Sequence, residues 1–130
     1  MGLFSVLKDM VNTPAPPFAT TDWVVVDSNA LGTCYAAIKR ADTTGEFVKM
    51  WDMFDFNAPQ SGGAGTYLSY KRLSEYDCTR RQVRRLAQYT YIGNMGKVGF
   101  AARDNSIQQW QPPSSGGIGQ TLFQIADSLR

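Results

Sequence analysis

A chain of 130 residues, 43% hydrophobic and 18% charged, has the size and composition of one globular domain with a sizeable core, which excludes disorder over most of its length. It contains no histidine and two cysteines, Cys34 and Cys78, so the commonest general base is missing and a zinc site would have to be completed by carboxylates; no metal and no cofactor is expected. The net charge of +2 points to no partner by its size alone, and no apolar run nears the roughly 18 residues of a membrane-spanning helix.

Residues 1–22 read as an N-terminal extension ahead of a domain running from 23 to 130. Leu3, Phe4, Leu7, Met10 and Val11 fit one face of a short helix, which Pro14, Pro16 and Pro17 end, and Thr13 to Thr21 reads as an extended linker. The start carries neither a basic leader nor a small-residue cleavage site, and Val6 stands where myristoylation needs Ser or Thr. The chain is therefore expected either to stay inside the cell or to be one whose export signal has been removed.

From Trp23 onward the punctuation is that of short strands. Trp23-Val24-Val25-Val26 is β-branched and aromatic, with Asp27-Ser28-Asn29 as its turn. Cys34 to Arg40 predicts a second strand, ended by Asp42-Thr43-Thr44-Gly45. Glu46 to Phe56 is the most apolar segment, and large side chains on both alternating faces predict a central strand covered on both sides. Asn57 to Gly65 reads as a flexible loop, and Tyr67 to Cys78 as a strand. Along that strand Tyr67, Ser69, Lys71, Leu73, Glu75 and Asp77 face one way, and Leu68, Tyr70, Arg72, Ser74, Tyr76 and Cys78 the other.

Residues 80–92 admit two readings. As a helix, Arg80, Arg81, Arg84, Arg85 and Gln88 form a polar stripe opposite Val83, Leu86, Ala87 and Thr90. As a strand, the Tyr89-Thr90-Tyr91-Ile92 end fits better. Gly93-Asn94-Met95-Gly96 predicts a hairpin loop and Val98 to Ala102 its return strand. After Trp110, Pro112-Pro113 and Ser114-Ser115-Gly116-Gly117, the residues Leu122, Ile125, Ala126 and Leu129 recur at helical spacing, and their stripe needs a sheet face to cover.

The ordered marks along the chain resemble the surface-adhesin E family of bacterial envelope proteins. They are Val48-Lys49-Met50-Trp51, Ser69-Tyr70-Lys71 leading into Glu75-Tyr76-Asp77-Cys78, the run Arg80-Arg81-Gln82-Val83-Arg84, then Tyr91, Gly96-Lys97-Val98, Trp110 and Pro113-Ser114. Trp23 and the Tyr35 to Arg40 segment fit the family's opening, so the likeness spans residues 23 to 127. The resemblance implies an α+β fold: a single antiparallel sheet of about six strands with a C-terminal helix packed on one face. It therefore implies that Arg81 to Ile92 is a strand. It also implies a non-catalytic domain, in the cell envelope or secreted, that binds a protein or glycoprotein partner such as the matrix and serum glycoproteins of a host. The family ties the cysteine of its Tyr-Asp-Cys motif to one at the end of the helix, whereas this chain ends Ala126-Asp127-Ser128-Leu129-Arg130. The alternatives here are a Cys34–Cys78 bond, worth about 2–4 kcal/mol, and two buried free thiols.

The candidate binding residues are Lys71, Arg72, Arg80, Arg81, Arg84 and Arg85, and the arginines' guanidinium forks suit acidic side chains or sulfated glycans. On paired strands they would split between both faces, and a solvated polar face is the plainer reading of such a run. The rival partner is nucleic acid, with Tyr70, Tyr76, Tyr89 and Tyr91 available for stacking and Gly93 to Lys97 spelling a GxxG loop, although a hairpin turn explains that loop. A third possibility is self-assembly into a homodimer through a sheet edge. No enzyme is expected. Asp52, Asp55, Glu75 and Asp77 supply carboxylates but read as hydrated strand ends, Gly62, Gly63 and Gly65 lack a following Gly-Lys-Ser/Thr, and Ser114-Ser115 has no histidine to activate it. Trp23, Trp51 and Trp110 read as packing residues.

Overall fold

Strands that follow one another in the chain lie side by side in space, because each turn is too short to cross over. The computed structural model describes residues 22–63 and 65–130; the helical face and proline-rich linker expected earlier in the chain lie outside the described residues. β1 (Val24–Asn29), β2 (Gly32–Ala36), β3 (Val48–Gly62), β4 (Gly65–Asp77), β5 (Gln82–Tyr91) and β6 (Phe100–Asp104) form one antiparallel sheet in that order. The helix α1 (Gly117–Leu129) follows and packs against β1, β3 and β4. The α+β class, the six strands and the C-terminal helix all agree with the sequence reading.

Several boundaries move, each for a local reason. β1 runs on through Asp27 to Asn29, and the turn comes later because the Asn29 side-chain oxygen accepts from the N–H groups of Leu31 at 2.8 Å and Gly32 at 3.2 Å. Gly32 is required there, since an added Cβ would strike the Asp55 carbonyl oxygen of β3. β2 stops at Ala36, and Ile38–Arg40 is a 3-10 turn tied down by Arg40 to Asp22 at 2.7 Å.

Much of the expected loop at 57–65 is instead a hairpin arm, with Gln60 opposite Tyr67, Ser61 opposite Thr66 and Gly62 opposite Gly65. Pro59, which cannot donate to a ladder, sits in the register shift between Asp55 and Gln60. β6 begins two residues later than expected because Val98 and Gly99 hold left-handed φ of 70° and 78° and lie in the turn.

Residues 82–91 are a strand, and the structure explains their helical pattern. Ala87 pairs with Leu73 but Arg85 pairs with Ser74, so Leu86 is an extra residue in a bulge. That insertion breaks the two-residue alternation and leaves Val83, Leu86, Ala87 and Thr90 at helix-like intervals.

The sheet buries apolar residues on both faces. On one face Met50, Phe54, Tyr76 and Cys34 pack with Leu122, Phe123 and Ala126 of α1. On the other Trp51, Met53, Leu73, Ala87, Tyr89 and Tyr91 pack with Trp23 and Ala37. Burying each large apolar side chain contributes roughly 1.5–3 kcal/mol, and β3 supplies both layers as its double-sided pattern requires.

Candidate functional site

Cross-strand register decides the fate of the basic residues. Arg72 lies opposite Asp52 on the helix-bearing face. Its Nε and Nη2 donate to the two carboxylate oxygens of the fully buried Asp52 at 3.2 and 3.0 Å. Burial pushes the Asp52 carboxyl upward and Arg72 opposes that push, while the Asp52 charge raises the guanidinium above its ordinary value. Arg85, opposite Ser74 on this same face, donates to Gln88 Oε1 at 3.0 Å and to Asp104 at 2.9 Å.

The remaining cations point elsewhere. Arg84 lies opposite Glu75 on the other face, donates to it at 2.7 Å through Nη2, and places its guanidinium 4.4 Å from the Trp110 ring centroid. Lys71 is 2% exposed, with its ammonium 5.7 and 5.1 Å from the centroids of Trp23 and Tyr91, and burial lowers its pKa. Arg80 and Arg81 occupy the turn between β4 and β5, Arg80 donating to Asp77 at 3.2 Å and Arg81 lying over the Phe123 ring. The backbone N–H of Arg80, ahead of its side chain, holds the Asp77 carboxyl below the usual range. The six cations thus divide between two faces and a turn, and none of the strand positions forms a continuous basic stripe.

The carboxylates were the residues that sequence reasoning misplaced. Asp52, Glu75 and Asp77 are buried partners of arginines, not hydrated strand ends. Asp55 accepts from the Asn94 amide at 2.9 Å and the Met95 N–H at 2.8 Å, fixing the β5–β6 turn. Strand register sets the Asp52–Arg72 and Glu75–Arg84 pairs, and turn geometry sets the other two.

A groove forms where the sheet, the segment after β6 and the first turn of α1 converge. Past β6 the chain keeps tracking β5: Gln108 N–H donates to the Arg85 carbonyl at 2.9 Å, and Val83 and Gln111 exchange backbone bonds at 2.8 and 3.0 Å. The groove holds about 350 Å³ and is lined by Arg72, Ser74, Tyr76, Arg85, Gln108 and Ser114, among others. Arg84 also borders the groove, but its guanidinium lies on the other face against Glu75 and Trp110; no acidic residue lines the groove among the described residues. The Arg85 Nε is enclosed by protein without a hydrogen-bond partner.

Other candidates separate in space. Cys34 faces Phe54 across β2 and β3, whereas Tyr76, two residues before Cys78, faces Val48, so the cysteines lie about 20 Å apart along the sheet. The Cys34–Cys78 bond is therefore not formed; both are buried free thiols, too distant for disulfide geometry. Burial pushes the Cys34 thiol up to about 12. Tyr76, Tyr89 and Tyr91 are buried, so their rings offer no stacking platform, and Gly93 to Lys97 is the turn between β5 and β6. Among the described residues no cluster of His, Cys, Asp and Glu could hold a metal ion, and no helix is long and apolar enough to cross a membrane.

The surface-adhesin protein E family model matches residues 23–126, a span that takes in all six strands and most of α1. No curated protein and no solved structure matches the chain. The match covers most of the sequence and the whole sheet on which the arginine pairs and the groove are built, and the chain belongs to the surface-adhesin protein E family.

Proposed function

We propose that the domain is a non-catalytic binding module of the bacterial cell envelope or of the secreted protein pool, engaging a protein or glycoprotein partner such as a host matrix or serum glycoprotein. The family match over residues 23–126 carries this reading. Its contact surface is the β4–β5 ribbon: Arg72 and Arg85 at the groove, Arg84 beside it on the other face, and Arg80 and Arg81 on the adjoining turn. Acidic partners hold four of these guanidiniums in place, so part of the orientational cost of binding is met before the partner arrives. Lys71, buried between aromatic rings, leaves the proposed surface.

Surface plasmon resonance against immobilised matrix and serum glycoproteins tests the reading. Saturable binding that weakens with salt and drops on Arg80→Glu with Arg81→Glu is expected. Failure to bind any glycoprotein, together with tight single-stranded RNA binding lost in Arg84→Ala with Arg85→Ala, would replace it with the nucleic-acid reading.

A further inference from the structure

We propose that the groove beside β5 is a binding site for a carboxylate-bearing sugar, a hexuronic or sialic acid residue on the partner's glycan; the inference deepens the binding reading above and rests on it. Each of the two arginines is held by only part of its donor set. Asp52 takes the Nε–Nη2 edge of Arg72, leaving Nη1 to donate elsewhere. Gln88 and Asp104 each accept from one Nη group of Arg85, and each of those nitrogens carries a second hydrogen. Arg72 and Arg85 sit on adjacent strands of the same face, opposite Gln88 and Ser74, and both line the groove. A carboxylate entering there accepts from two fixed guanidiniums and meets no lining acid.

The rest of the lining selects a sugar over a bare anion. Phosphate or sulfate needs donors alone. Ser74, Tyr76, Gln108 and Ser114 bring hydroxyl and amide groups that both donate and accept, as ring hydroxyls require. A volume of about 350 Å³ is near the lower end of ligand pockets and admits one pyranose ring.

The test is calorimetric titration of the full chain with glucuronic acid and with N-acetylneuraminic acid, against glucose and sodium acetate. At least one acid sugar should saturate the protein, with glucose and acetate weaker by roughly tenfold or more. Which acid binds identifies the source. Arg85→Lys keeps the charge but removes the planar guanidinium fork, and should weaken the acid sugar by roughly tenfold while the thermal transition stays within a few degrees. In parallel, the Arg85 Nε–H resonance of the unmodified protein should shift as the acid sugar is added. Binding of acetate or glucose as tight as the acid sugars, an unmoved Arg85 resonance, or no binding up to about 10 mM would overturn the proposal. Glycoprotein capture unaffected by enzymatic removal of acidic sugars would also overturn it while leaving the binding reading intact. Free acid-sugar binding without any glycoprotein capture would do the reverse.

Discussion

The two faces of the sheet close their cores by different means. On one, α1 lays Leu122, Phe123 and Ala126 over Met50 and Phe54. On the other, half of the buried layer is aromatic, with Trp51 edge-on to Tyr89 at 5.9 Å and Trp23 and Tyr91 flanking Lys71. Lys71 and Arg72, adjacent in sequence, fall on opposite sides of this division. Lys71 is enclosed at 2% exposure, whereas the Arg72 side chain keeps 29%, because the helical cover gives way to the groove. A cation on a sheet is enclosed where the layer above it is complete and reaches solvent where that layer stops.

The sharpest way to break the comparison is Arg72→Ala, which strands the fully buried Asp52 charge. It should cost about 3–5 kcal/mol in urea unfolding, and a loss below about 1 kcal/mol would show that the pair is not buried as described. Leu122→Ala and Leu73→Ala then compare the faces directly, being the same truncation at 2% and 5% exposure. Each should cost about 2–5 kcal/mol; a near-neutral Leu73→Ala would demote the aromatic layer from core to surface.

Gly96→Ala probes the roof over Lys71. Gly96 has φ of +68°, and an added Cβ would meet the Lys71 side chain, so a loss of about 1–2 kcal/mol is expected from thermal unfolding. Arg80→Ala removes a turn pair whose arginine is 68% exposed, and less than about 1 kcal/mol should follow.

The thiols give the smallest effect at neutral pH. Native protein should react slowly with Ellman's reagent, and denatured, unreduced protein should show both thiols free. The unfolded chain releases the Cys34 proton near 9.0 and the folded one near 12, so folding holds that proton more tightly. Its contribution to stability is complete below pH 9.0 and fades as pH rises toward 12, which pH-dependent urea midpoints would record.

Much of the fold was legible because short-range chemistry repeats it. The β-branched and aromatic run at Trp23 to Val26, the double-sided Glu46 to Phe56 and the stripe Leu122, Ile125, Ala126, Leu129 each announced an element found in the structure. The hairpin arm around Pro59 was hidden because its glycines and proline look like a loop unless the bulge that tolerates them is known. The groove was hidden more deeply. Gln108, Ser114 and Arg85 meet only because the segment past β6 returns along β5 to the start of α1.

By itself, the sequence determined the order of strands and turns, the helical stripe, the missing histidine chemistry and the ordered marks of the family. Only the tertiary structure decided which arginine meets which carboxylate, that the two cysteines stay apart, and that Arg72 and Arg85 border one groove. The reason is register. Two-residue alternation says which side chains share a face, but nothing in it says what lies opposite, and a single extra residue such as Leu86 reverses the facing of everything beyond it.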